Sequence, residues 1–249
     1  SSDLGVRYFA ILGIELRPHE RTTEATTGIH WLSAGDDVLL EDCLIHGYKD
    51  NLIFSAFNED RPLRNLRLRR CQVLDSYSVA GHSQGLFASN VRGLVIDECV
   101  FDHNGWNPDI EGAHPTIFNH NIYVSTKNSD VEVRRSFISR GSSHGVQMRS
   151  GGIQSRNVFV LNALASLLGG GDPDPETHTY GITGVIEENL ILHGRDIGAM
   201  ARGNAIHLTN VGDDGAIVRG NIIAENRSTS GMPAVLLQGV GYGSGVGVR

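Results

Sequence analysis

The chain has 249 residues, is 40% hydrophobic, and carries 31 glycines and a formal net charge of −7. That length and apolar content are enough to bury the core of one large domain. No apolar run reaches the roughly 18 residues of a membrane-spanning helix, and the acidic balance argues against broad non-specific binding to nucleic acid or an anionic membrane surface.

The sequence opens Ser1-Ser-Asp-Leu-Gly and enters a strand-like run almost at once. Both ends read as cut through a repeat, without the polar caps that solenoids need. Residues 1–249 are therefore expected to form one domain lacking one or both terminal caps, taken from a processed or longer chain. No leader is visible, which leaves the compartment open.

One segment recurs along the whole chain. It reads YFAILGIEL from Tyr8, VLLEDCLI from Val38, LRLRRCQV from Leu66 and LVIDECVF from Leu94. It continues as VEVRRSFI from Val131, NVFVLNAL from Asn157, GVIEENLI from Gly184 and AIVRGNII from Ala216. Ahead of most copies lies a second short run: GIHWLS, NLIFSA, GLFASN, NIYVST, GVQMRS and AIHLTN, with AVLLQG closing the series. Period-two alternation is a strand signal, and self-similarity at about 20–50 residues is the mark of a solenoid. Eight coils of two or three short strands follow, giving an all-β parallel solenoid. An amphipathic helix is excluded by short β-branched runs separated by Gly, Asn and Asp.

The sixth position of each copy is small or polar: Gly13, Cys43, Cys71, Cys99, Ser136, Asn162, Asn189 and Asn221. Stacked asparagines at a bend can hydrogen-bond both neighbours, as in side-chain ladders of stacked strands. The cysteines at 28-residue spacing then form a thiol column at that bend. An odd count without C-x-x-C grouping does not suit zinc; a disulfide between adjacent coils is the alternative.

Two connections are long: Asn104 to Asn119, and Ser166 to Thr179. Long loops in a compact repeat are commonly functional or disordered. Both are expected on one side, as two walls of a groove. Between them lie His120-Asn-Ile-Tyr-Val-Ser and His144-Gly-Val-Gln-Met-Arg, near-copies offset by 24 residues. Stacked on adjacent coils about 4.8 Å apart, they put Tyr123 beside Gln147, Ser125 beside Arg149, and His120 beside His144.

The coil length, the polar bend column and the alternating strands resemble the right-handed parallel β-helix, or pectate-lyase-like, superfamily over nearly the whole chain. The resemblance implies action on an acidic polysaccharide outside the cytoplasm, in the periplasm or the extracellular space. Within it, STKNSDVEVRRSFI and VQMRSGG are similar to alginate-lyase and chondroitinase-B-like lyases, which use a lysine base and an arginine from the next coil, often with calcium. Lys127 and Arg149 occupy those settings here. No acidic calcium cluster stands beside them, the epimerase Asp-Pro-His motif is absent, and the aspartates of a polygalacturonase are not in order.

β-Elimination needs the uronate carboxylate neutralised, a base for the C5 proton and an acid for the leaving oxygen. Donors placed where negative charge develops contribute most to lowering such a barrier. The candidate catalytic residues are therefore Lys127, Arg149, Tyr123 and His144, with His120, Gln147, His114 and Trp106 binding substrate. Arg149 can hold a carboxylate bidentately. Each has a structural alternative: Lys127 an exposed turn lysine, the histidines stacked turn residues, Tyr123 an aromatic platform. His30 and His207 are expected at the surface. His120 and His144 on adjacent coils, with His114 in the preceding loop, could meet at one ion such as Zn²⁺, but their spacing is no known short metal motif and no metal ligand is assigned. Ca²⁺ is the cofactor the resemblance brings in, and the Asp172-Pro-Asp174-Pro-Glu176 loop offers it oxygen ligands. The reading from another class is a non-catalytic glycan-binding or assembly module. Neither composition nor motif fixes the oligomeric state.

Overall fold

A computed structural model describes residues 6–20, 26–56, 60–170, 181–229, 231–238 and 247–248. Among them there is no helix; the chain winds through three all-parallel sheets of nine, eight and eight strands, each ordered by coil. Each full coil contributes one strand to each sheet, and eight such coils are present before a ninth strand extends the first sheet. The architecture is a parallel β-helix.

The interior follows from the alternation. In Leu63–Arg69, for example, Leu63, Leu66 and Leu68 are fully buried while the arginines between face out. Stacking repeats this on every coil, so one continuous core runs from Val38 to Val218, with Phe54, Phe101 and Phe159 as its largest buried side chains. The outward positions of the first sheet and its corner pair charges across coils: Arg69 with Glu41 at 2.7 Å and Arg219 with Glu187 at 2.6 Å on the strands, Arg135 with Asp97 at 2.5 Å and Arg156 with Glu188 at 2.7 Å at the corner.

The recurring segment is not one strand. Each copy splits into a strand of the first sheet and a strand of the second, such as Val91–Asp97 and Val100–Asp102. The corner residue between them has left-handed backbone on every coil: Gly13, Asp42, Arg70, Glu98, Arg135, Arg156, Glu188 and Gly220. Such a conformation costs a non-glycine residue on the order of 1 kcal/mol. It is held here because the corner amides stay in the inter-coil ladder, as in Arg70 N–H to Asp97 O at 3.0 Å.

The column just past this corner is Ile14, Cys43, Cys71, Cys99, Ser136, Asn157, Asn189 and Asn221, fixed by hydrogen bonds such as Val100 N–H to Cys71 O and Val158 N–H to Ser136 O. Two expected members are thus out of register. Gly13 is the corner residue itself, and Asn157 takes the place assigned to Asn162. The fifth-to-sixth coil is short, closing through Ser150-Gly151-Gly152, so the strand of the first sheet there is Gly152–Ser155 and NVFV belongs to the second. Its alternation matched the repeat five residues late. The three cysteines are buried and free, each thiol donating to a carbonyl two residues back, as from Cys99 to Asp97 O at 3.3 Å.

Asn162 belongs to a second ladder, at the corner between the second and third sheets. Asn51 donates to Asn104 at 3.1 Å, Asn104 to Asn121 at 2.9 Å, and Asn121 to Asn162 at 3.1 Å. All four side chains are almost wholly buried.

Candidate functional site

The third sheet carries the site. Its strands His120–Val124 and His144–Met148 pair in parallel with Tyr123 opposite Gln147, and Ile122 and Val124 opposite Val146 and Met148. Arg149 N–H donates to Val124 O, which continues the register and sets Arg149 beside Ser125. The two near-copies therefore lie side by side in phase, as the sequence indicates.

Strict alternation would turn His120 inward with Ile122 and Val124. It does not, because Asn121 is the corner residue whose side chain enters the interior ladder. The pairing skips this position, running from His120–Gln84 directly to Ile122–Leu86. His120 is thus returned to the outer face. Gly85 and Gly145 occupy the same corner on neighbouring coils, where a Cβ would sit 2.5 Å from Asn121 O and 2.7 Å from Ala165 O.

On this outer face lies an open cavity of about 450 Å³. The strands supply His120, Tyr123, His144 and Gln147, then Leu164, Leu167, His207, Leu236 and Gln238, and Arg149 follows directly after His144–Met148. Ile117 and Phe118, at the end of the Asn104–Asn119 connection, form one wall; Arg202 and Asn204 stand on another side. The lining thus holds four histidines, counting His82, and two arginines. Among the described residues it holds no carboxylate, although acids outnumber Lys and Arg by 28 to 21 in the chain.

The rings form a connected set. His120 stacks on His144 with centroids 4.8 Å apart and lies 5.1 Å from Tyr123. The Arg149 guanidinium sits 5.1 Å over the Tyr123 ring, a cation–π contact. His82 stacks on Phe118 at 5.3 Å. Burial, with Arg149 and His82 adding to it, pushes His120 down to about 3. Burial, with His120 adding to it, also holds His144 well below the usual imidazole range, and burial lowers His207. Uncharged imidazoles can accept a proton or a hydrogen bond. His120 Nε2, Arg149 Nε and His207 Nε2 are buried in this lining without a hydrogen-bond partner.

The sequence-named residues divide. Tyr123, Gln147, Arg149, His120 and His144 line the cavity. Lys127 does not; it is exposed in the turn beyond the strand. His114 is exposed outside the lining. Trp106 is also outside it, held by Nε1–H to Arg140 O at 2.8 Å, with Arg195 over its ring at 5.3 Å and His103 against its edge. There it ties the long connection to the coils.

His207, expected at the surface, faces the cavity, since it lies in line with Tyr123, Gln147 and Leu167 on successive coils. Arg202 and Asn204 were not singled out from the sequence because the 193–205 connection carries no signal of a wall. The wall expected from Ser166 to Thr179 starts differently: Leu164–Leu168 is a strand, buried throughout, whose uniformly small or apolar composition hid its alternation. The Asp172, Asp174 and Glu176 loop, proposed for Ca²⁺, lies outside the described residues. Among the described residues no group of three or more His, Cys, Asp and Glu side chains is placed to hold a metal.

Fold and site together define a parallel β-helix with a cationic, histidine-lined cavity on one sheet. No protein-family model matches the chain, and no curated protein does. One solved structure, described as "Crystal structure of Agl-KA catalytic domain", aligns with 90% of this chain and 49% of its own, at 7% identity and a TM-score of 0.26. The chain spans about half the length of that protein, and a likeness this loose carries no functional weight.

Proposed function

We propose that the protein binds an acidic polysaccharide along the third sheet and cleaves it at a uronate by β-elimination, in the manner of the pectate-lyase-like β-helices it resembles. The observation that carries this reading is the cavity lining: among the described residues it has two arginines, four histidines and no carboxylate, and Arg149 Nε–H is buried there without a partner. Such a lining favours an anion that brings its own acceptors.

Arg149, with Arg202 across the cavity, offsets the uronate carboxylate. His120 replaces Lys127 as the base, since its Nε2 is buried in the cavity lining without a hydrogen-bond partner and Lys127 lies outside that lining. In the free site Arg149 helps hold His120 uncharged; a bound carboxylate cancels that effect and raises its basicity. His120 takes the C5 proton, the C5–H electrons form the C4–C5 double bond, and the C4–O bond breaks. The leaving oxygen takes its proton from the Tyr123 hydroxyl, and Arg149 over the ring stabilises the tyrosinate left behind. Solvent carries the proton from His120 back to Tyr123.

The test is incubation with alginate, pectate and glycosaminoglycans while following ultraviolet absorbance of the unsaturated product. His120→Gln is expected to lower turnover by about 10²–10⁴, and Lys127→Ala to leave it near wild type. Binding across the panel without product would assign the protein to non-catalytic glycan-binding modules instead.

A further inference from the structure

Gln84 stands directly beneath His120 on the preceding coil and is only 4% exposed. Its amide has two contacts with backbone groups whose donor or acceptor character is not in doubt. Gln84 Nε2 donates to Phe118 O at 2.9 Å, and Oε1 accepts from His120 N–H at 2.9 Å. The amide therefore has one orientation: NH₂ toward Phe118, carbonyl toward His120. That same Oε1 lies 2.9 Å from His120 Nδ1. A carbonyl oxygen can only accept, so Nδ1 must carry the hydrogen. In an uncharged imidazole the other nitrogen is then a bare lone pair, and Nε2 is the partnerless atom in the cavity lining.

We infer that Gln84 is a positioning residue that locks His120 in the tautomer with hydrogen on Nδ1, leaving Nε2, buried in the cavity lining, as the proton acceptor of the ring. The consequence for catalysis rests on the β-elimination reading above. The lock has a further support: Asp50, one coil below, accepts from Gln84 N–H at 2.9 Å and fixes the backbone from which the amide extends. Asp50, Gln84, His120 and His144 thus form an outward column at the corner of four successive coils. The other titratable or charged groups around the His120 ring are Arg149, Tyr123, His82 and His144. His144 lacks an equivalent lock, because its Nδ1 meets the Ser143 hydroxyl at 2.9 Å, which can donate or accept. The orienting carboxylate or carbonyl behind a functional imidazole is a general device; here a glutamine supplies it without adding charge.

Long-range ¹H–¹⁵N spectra of the whole chain, with the ring assigned through His120→Gln, read the tautomer directly. The expected spectrum has a protonated Nδ1 and an unprotonated Nε2; hydrogen on Nε2 overturns the inference. Gln84→Leu should release the ring to a mixture of tautomers and lower kcat about 10- to 100-fold with little change in KM. An unchanged tautomer in that variant also overturns it. Gln84→Glu keeps an acceptor at Nδ1 and adds negative charge, so hydrogen should stay on Nδ1 while the ring titrates at higher pH. This variant decides the matter should Gln84→Leu not fold, and an unmoved titration counts against the lock. Wild-type protein with the expected spectrum but no unsaturated product would remove the lyase reading and leave the role of Gln84 standing.

Discussion

Asn121→Ala tests both the scaffold and its link to the site. The Asn121 side chain is fully buried. It donates to Ser139 O at 2.8 Å and to Asn162 Oδ1 at 3.1 Å, and it accepts from Asn104 Nδ2 at 2.9 Å. The losses are unequal. Ser139 O keeps a bond from His103 N–H, and Asn162 Oδ1 keeps one from Gly141 N–H, both near 3 Å. The Asn104 hydrogen keeps nothing. An orphaned buried donor costs about 1–3 kcal/mol and each other lost bond about 0.5–1.5 kcal/mol, so a loss of roughly 2–6 kcal/mol is expected. Urea unfolding with linear extrapolation measures it. Asn157→Ala is the control: it interrupts the other ladder by a comparable amount, with donors to Val133 O and Asn189 Oδ1, but lies outside the cavity lining. Only Asn121→Ala should also weaken glycan binding, because Asn121 sets the corner that turns His120 outward. A stability loss below about 1 kcal/mol would refute the account of the ladder. Equal binding in both variants would refute the link to the site.

Arg149→Met keeps an apolar stem over Tyr123 but removes the charge. Affinity for a uronate oligosaccharide should fall about 10- to 100-fold, the worth of a charged hydrogen bond, as seen by calorimetry, while Lys127→Ala changes it by less than about twofold. Stability should decline as pH falls below the unfolded histidine value of 6.5. His120, His144 and His207 have lowered values in the fold, so the unfolded chain binds more protons there, and each contributes stability present above 6.5 and lost on acidification toward its folded value. The expected slope is roughly 1 kcal/mol per pH unit for a fully buried ring; a flat unfolding free energy from about pH 6.5 to about pH 4.5 would contradict it. The thiols of Cys43, Cys71 and Cys99 should react with a thiol reagent only after denaturation, since all three are buried; fast reaction in buffer would show that the corner column opens.

Much of the fold was legible because its two determinants are local. Alternating apolar residues and the recurrence of a polar bend are written along the chain, and VLLEDC, LRLRRC and LVIDEC at equal spacing allow one stacking register. The corner conformation was not legible. Its left-handed residues are Asp42, Arg70, Glu98, Arg135, Arg156 and Glu188; all but Asp42 are types that carry no turn signal, tolerated because each amide is bonded to the next coil. In the site, His120, Tyr123, His144, Gln147 and Arg149 could be found because they sit on, or directly after, two strands with matching patterns. His207 could have been found by carrying the Tyr123–Gln147 column two coils further. Arg202 and Asn204 could not, since their place depends on how an irregular connection packs.

The sequence by itself determined that the chain stacks as parallel coils and that two histidine-led strands lie in phase, because period and register are properties of neighbouring residues. Tertiary structure decided which way His120 faces, which nitrogen it offers, and that Lys127 stands apart from the cavity. Those outcomes depend on a corner asparagine, a glutamine one coil below and a connection folding back across the sheet, groups brought together only when distant parts of the chain pack.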